Sequence, residues 1–121
     1  AATVPARLPE TINWRLSDDY HAPAAVGGHV RIYSAVELRA KLRAAGLELE
    51  RSHRAHALHS PYWWLRCAVG PNDDDHPLVR RYRRLLEREI IEQPRSLAIA
   101  EQVLAPVLGK SIVHYATKAS A

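Results

Sequence analysis

The sequence predicts an α/β fold rich in helix, and three local patterns carry that expectation. Ser34-Ala35-Val36-Glu37 opens a helix that stops at Gly46 and runs into the alternating Leu47-Glu48-Leu49-Glu50, a helix–glycine–strand unit common in α/β sheets. Leu78, Val79, Tyr82, Leu85, Leu86 and Ile90 recur at the spacing of one helical face. Ser111 to Thr117 is β-branched and aromatic, as a strand requires.

Taken in order, Thr3-Val4-Pro5 reads as a strand end, because proline has no N–H to continue a ladder. Pro9 to His21 places Ile12, Trp14 and Leu16 among polar residues, which suits a short helix or a covering loop. From Tyr20 to Gly28, alanines, a proline and paired glycines predict a mobile connection. Ser34 can accept from the amide three residues on while Glu37 reaches back to the Ser34 amide, a capping box; Leu38 and Leu42 follow in that helix. Ser60 supplies a cap and Pro61 a first turn for a short helix ending at Gly70-Pro71. Asn72 to Asp75 is a turn and cap cluster. The next helix sets Arg80, Arg81, Arg83, Arg84, Glu87 and Arg88 opposite its apolar stripe, with pairs at helical spacing such as Arg83 with Glu87. Pro94 ends it. Ser96 begins another helix with Leu97, Ala100, Val103, Leu104 and Val107 on one face, and Gly109 closes it. The organisation is a single segment: strand end and lid-like connection (1–33), helix–strand unit (34–53), helical insertion (60–109) and final strand (111–117), without repeats.

A chain of 121 residues forms one domain and is long enough to bury about two-thirds of its unfolded surface. Its 47% apolar and 25% charged composition is that of a globular protein. No apolar run approaches the roughly 20 residues of a membrane span, and no signal-like start is present, so a cytoplasmic protein is expected. The single cysteine, Cys67, cannot form an intrachain disulfide and lies in an apolar run, where it reads as a small buried hydrophobe. The absence of methionine, with the apolar start Ala1-Ala2-Thr3-Val4-Pro5, suggests a chain that begins within a longer protein. The net charge of +4 is compatible with nucleic acid or an anionic surface, although arginine-heavy usage also follows from GC-rich coding.

The order of these elements, with Gly27-Gly28-His29-Val30-Arg31-Ile32-Tyr33-Ser34, resembles the later half of a class I S-adenosylmethionine-dependent methyltransferase. In that family the fifth strand commonly ends in a Val-Pro pair, like Val4-Pro5. A Gly-His-Val-Arg-aromatic stretch then leads into a helix with a Glu-Leu pair, here Glu37-Leu38, ending Ala-Ala-Gly, here Ala44-Ala45-Gly46. The run from His56 to Leu65 is similar to a bacterial, largely actinobacterial, subgroup with a helical insertion before its last strand. The resemblance covers nearly the whole chain. It implies a partial Rossmann-like sheet containing the end of the fifth strand and the sixth and seventh strands. The family's cofactor site is a glycine-rich turn after its first strand, with an acidic residue after the second. Neither is present, since Gly27-Gly28 follows no strand. The resemblance therefore implies a substrate-side C-terminal part, with S-adenosylmethionine bound mainly by a missing N-terminal half.

Methyl transfer to a hydroxyl or amine requires alignment, exclusion of water and, in many cases, removal of a proton. His29 is the candidate base, because its connection should lie over the carboxyl ends of the strands, where ligands bind in open α/β sheets. The structural alternative is that His29 caps a turn or anchors the loop to Tyr33. Tyr20, His21, Arg31, His56, His59 and Trp63 are candidate substrate contacts. Arg31 either orients an anionic substrate or pairs with an acid. His53, His56 and His59 share a face on a helix but alternate on a strand, so they either approach a metal ligand set or line a polar cavity. The aromatics Tyr62, Trp63 and Trp64 either wall a partly apolar substrate or pack as core. A hydroxylated metabolite, a lipid and a sugar all remain open as the acceptor. Two other classes are compatible with the chain. One is a small basic nucleic-acid-binding module, against which stand interleaved acids and the lack of a recognised motif. The other is a non-catalytic interaction domain that self-associates through an open sheet edge.

Overall fold

The computed structural model describes residues 1–21 and 28–120. Most of the expected mobile connection, 22–27, lies outside the described residues, as does the first glycine of the Gly27-Gly28 pair. The elements are β1 (Ala2–Pro5), α1 (Arg7–Leu16), α2 (Ala35–Ala44), β2 (Leu47–Ala55), α3 (His59–Val69), α4 (Pro77–Glu92), α5 (Arg95–Leu108) and β3 (Ser111–Lys118). Among the described residues, no helix is long and apolar enough to cross a membrane.

Local chemistry accounts for most boundaries. Ser34 Oγ accepts the Glu37 amide at 3.1 Å, so half of the predicted capping box forms. The Glu37 carboxylate turns instead to Arg31, 2.7 Å away. Gly46, at φ +77°, provides the left-handed turn between α2 and β2. The start of α3 differs from expectation. Ser60 is no cap: its hydroxyl donates to the Leu108 carbonyl at 2.5 Å. The Glu101 carboxylate instead accepts the Ala57 and Leu58 amides at 2.7 and 3.0 Å, and a negative group is favoured at this end of a helix. His76 caps α4. Gln93 turns left-handed, and Pro94, rather than Ser96, is the N-cap of α5.

The three strands form an open sheet in the order β1-β3-β2, and both neighbouring pairs are antiparallel. This departs from the expected Rossmann-like sheet, in which neighbouring strands run parallel. The difference lies in β3, which inserts between β1 and β2 and opposes both. Since β1 and β2 each oppose β3, they run parallel to one another. Ala2 and Ser52 flank His114 on either side.

The apolar core lies in the helical part. Leu58, Tyr62, Val79 and Leu86 are buried together, with Trp63, Leu65, Val69, Tyr82, Leu97 and Ala100 against them. The predicted stripe of α4 is only partly used, since Val79 and Leu86 are buried while Leu78 and Ile90 are exposed. On α5 no residue is fully buried. Arg83 pairs with Asp74 at 3.1 Å rather than with Glu87, and Arg88 forms the i,i+4 pair with Glu92.

Gly109 is where α5 meets the sheet. A Cβ there would collide with the Arg54 Cβ and lie 2.6 Å from the Ala105 carbonyl oxygen. Substituting Gly109→Ala should therefore destabilise the protein by about 1–3 kcal/mol, as overpacking does. Urea unfolding measures this as a lowered midpoint with an unchanged slope.

Candidate functional site

Helix α1 buries its polar side. Pro9, Glu10 and Asn13 are inaccessible, while Leu8 and Leu16 face outward at 49% and 44% exposure. Glu10 has no exposed side-chain surface, and an ionised carboxylate so placed must be paired and hydrogen-bonded. Three donors from the chain supply this. Trp14 Nε1–H, one turn along α1, lies 3.1 Å from Oε1; the Tyr20 hydroxyl lies 3.5 Å from Oε2; and His29 Nδ1 lies 2.6 Å from Oε1.

Because an ionised carboxylate only accepts, the short contact has His29 Nδ1–H as the donor. Nε2 is then the nitrogen left for chemistry, on a ring 40% exposed. A histidine oriented by a buried acid is the arrangement that prepares imidazole to take a proton. Around this pair, Tyr20 lies 5.5 Å from the Trp63 ring, and Lys110 Nζ lies 5.3 Å from Trp63 and 3.5 Å from the Tyr20 hydroxyl. Burial, and then the Glu10 charge, raise the Tyr20 pKa, so the phenol stays a donor. Burial lowers that of Lys110, against the opposing pull of Glu10. His21 stacks on Trp14 at 4.6 Å.

His29, Tyr20, His21 and Trp63 therefore gather around one acid. Other predicted residues lie elsewhere. Arg31 is engaged with Glu37 and lies 5.0 Å from the Tyr33 ring. His56 and His59, with ring centroids 5.2 Å apart, line a separate groove of about 420 Å³ with Glu89 and Glu101. His56 is left-handed at φ +63°, and burial followed by the neighbouring His56 lowers the His59 pKa. His53 is on β2, stacked on Tyr115, apart from the other two. Among the described residues no three His, Cys, Asp or Glu side chains converge as a metal site. Trp63 packs against the apolar core and also borders the cluster, while Trp64 donates to the Pro9 carbonyl at 3.1 Å.

Sequence reasoning missed Glu10, Asn13 and Lys110. The signal was the i, i+3, i+4 set Glu10, Asn13, Trp14, a polar stripe on a helix whose apolar residues point elsewhere. Cys67 belongs to the same cluster, its thiol 3.7 Å from Asn13 Oδ1.

Neither strand–helix turn among the described residues fits the phosphate-free but amide-lined cradle that S-adenosylmethionine takes in the resembled family. β1 passes to α1 through Ala6 alone, whose amide already donates to Lys110, and Pro9 in the first turn has no N–H to offer. At the β2–α3 junction the Ala57 and Leu58 amides are taken by Glu101. Neither strand–helix turn offers a cradle of open amides. No protein-family profile, curated protein or solved structure matches this chain.

Burial, then Glu10, push the Cys67 thiol up to about 11. Well below pH 9 the thiol is mostly neutral in folded and unfolded chains alike. Between about pH 9 and 11 the unfolded chain loses its proton first, so stability falls as pH rises through that window. Folded protein at pH 8 should resist a thiol reagent that labels it rapidly in denaturant. Cys67→Ala should remove roughly 1–3 kcal/mol of the alkaline stability loss, as measured by unfolding at pH 8 and pH 10.5.

Proposed function

We propose that this chain provides the acceptor side of an S-adenosylmethionine-dependent methyltransferase, with His29 as general base and Glu10 as its positioning residue. The observation that carries this reading is the 2.6 Å contact between His29 Nδ1 and a carboxylate with no exposure. A hydroxyl or amine nucleophile sheds a proton as it is alkylated, and imidazole accepts one near neutral pH. Nε2 of His29 takes that proton, and the Glu10 charge stabilises the imidazolium that results. Lys110 and the Tyr20 hydroxyl orient the acceptor oxygen or nitrogen, and Trp63 supplies an apolar wall. The acceptor is a small molecule with a partly apolar body.

β1 and β2 run parallel to one another with β3 antiparallel between them, and the outer edge of β1 is where further strands of such an enzyme would add. The methyl donor sits outside the residues described, in the N-terminal half implied by the resemblance. A second reading, a non-catalytic interaction domain, draws on α5, where Ile99, Val103 and Val107 are 60%, 69% and 59% exposed.

Calorimetry of this chain with S-adenosylmethionine should show no binding; micromolar binding would put the donor site among these residues. In the enzyme that contains the chain, His29→Ala should lower kcat by about 10²–10⁴-fold; because it also takes a partner from the buried Glu10, its melting temperature should fall, and turnover is compared well below the variant's own midpoint. Glu10→Gln should lower kcat less and shift the His29 tautomer balance, read from ring ¹⁵N shifts. Unchanged turnover in both variants would leave the interaction reading.

A further inference from the structure

The inner face of β2 and β3 carries an unusual residue for a central strand. His114 is 1% exposed, between the apolar Ile112 and Ala116 on that face. Neither ring nitrogen has a hydrogen-bond partner among the described residues. Whichever tautomer it adopts, one N–H and one lone pair are left unsatisfied, which is unfavourable for a buried polar group. An aliphatic residue would avoid it.

His114 lines a cavity of about 250 Å³ between α2 and the sheet, with Arg39, Arg43, Glu50, Arg51 and Ser52 around it. Arg39 and Arg43 are four residues apart on one side of α2. Among the described residues neither guanidinium has an acidic partner within 4 Å; Arg39 Nη2 instead reaches the Ser52 hydroxyl at 3.3 Å. Arg51 is turned onto the Tyr115 ring, 4.4 Å away, and adds positive potential without pointing in. Three arginines against the one carboxylate of Glu50 leave the cavity electropositive.

The strand is shaped to make this cavity. A β-bulge between Leu49 and Arg51 shifts the pairing by one residue, so Leu49 and Ser52 face the same side although they are three positions apart. Without it the Ser52 hydroxyl would point away from its neighbour His114. The donors then come from three elements: two guanidiniums from α2, a hydroxyl from β2 and an imidazole N–H from β3. A carboxylate is satisfied by a single bidentate arginine, whereas a tetrahedral oxyanion uses donors from several directions. Arg39 and Ser52 also border a second groove of about 550 Å³, lined by Ala35, Ala105, Pro106 and Ile112, which gives the charged cavity an apolar extension.

We propose that the cavity between α2 and the β2–β3 face is a phosphate-binding site for a small phosphate monoester, its phosphate held by Arg39, Arg43, Ser52 and His114 and its apolar body lying in the adjoining groove. The site shares no residue with the Glu10–His29 cluster. It stands or falls independently of the methyltransferase reading.

The test titrates inorganic phosphate, and separately phenyl phosphate, into the full chain at constant ionic strength while the His114 ring resonances are followed by NMR. Saturable shifts are expected for both, with phenyl phosphate the tighter. Arg43→Ala, an exposed substitution that should leave the melting temperature unchanged, is expected to weaken both by about tenfold or more. Arg39→Ala should do the same. Equal shifts with chloride, no shift with either phosphate, or unaltered binding in both variants would overturn the proposal. So would a polynucleotide that displaces phenyl phosphate with a steep salt dependence, because the arginines would then form a nucleic-acid surface.

Discussion

The Glu10 carboxylate constrains more of this structure than any other group. A charge with no solvent contact is tolerated only when its partners are in place, and removing a partner from a buried pair typically costs about 3–5 kcal/mol. The partners here come from α1 itself, the turn after it and the segment before α2. Helix α1 must therefore turn its polar stripe inward. The chain around Tyr20 and His29 must return to it, and Trp63 and Lys110 close over the same space. What would otherwise be a loose crossover between β1 and α2 is tied to one oxygen pair.

A second acid joins the sheet to the helical part. Glu101 of α5 caps α3 through two amides, and Ser60 of α3 returns a bond to the end of α5. The Lys110 backbone then bridges Ala6 and His56, so the residue whose side chain enters the Glu10 cluster also anchors the starts of β3 and α1. Gly109 permits the close approach that brings these anchors together. The fold is thus built around polar junctions at element ends. Its main cluster of buried apolar side chains joins Leu58, α3, α4 and part of α5, while Leu38 and Ile112 are buried apart from it.

Elements whose signals are local were legible from the sequence. The Ser34 cap, the Gly46 stop and the β-branched run of β3 each report on their own few residues, and the structure follows them. The α/β class was therefore readable, but the sheet direction was not. It depends on where β3 inserts, a long-range choice that no local pattern encodes. Glu10 was missed because periodicity reasoning looks for apolar stripes and assumes that they face inward, whereas on α1 the stripe that turns inward is polar. Ser60 misled for a related reason: it has the right chemistry for a cap, but a carboxylate 41 positions later in the sequence holds the amides instead. Among the site candidates, His29, Tyr20, His21 and Trp63 were found through their types and neighbourhood. Arg31, His56 and His59 were placed by the same logic and lie in other surroundings.

The position of β3 between β1 and β2 governs the order in which the molecule can assemble. β1 and β2 do not touch, so among the described strands neither has a ladder partner until β3 arrives, and Ala2 must find His114 across nearly the whole chain. Closing so long a loop is entropically costly and slow. The α3–α4 hairpin, whose contacts are short-range, can form well before it. On a ribosome the sheet would stay open until residues 111–118 had cleared the exit tunnel, leaving β1 and the bulged β2 exposed in the interval. The same late strand carries His114, so the arginine-lined cavity comes into existence only as the sheet closes.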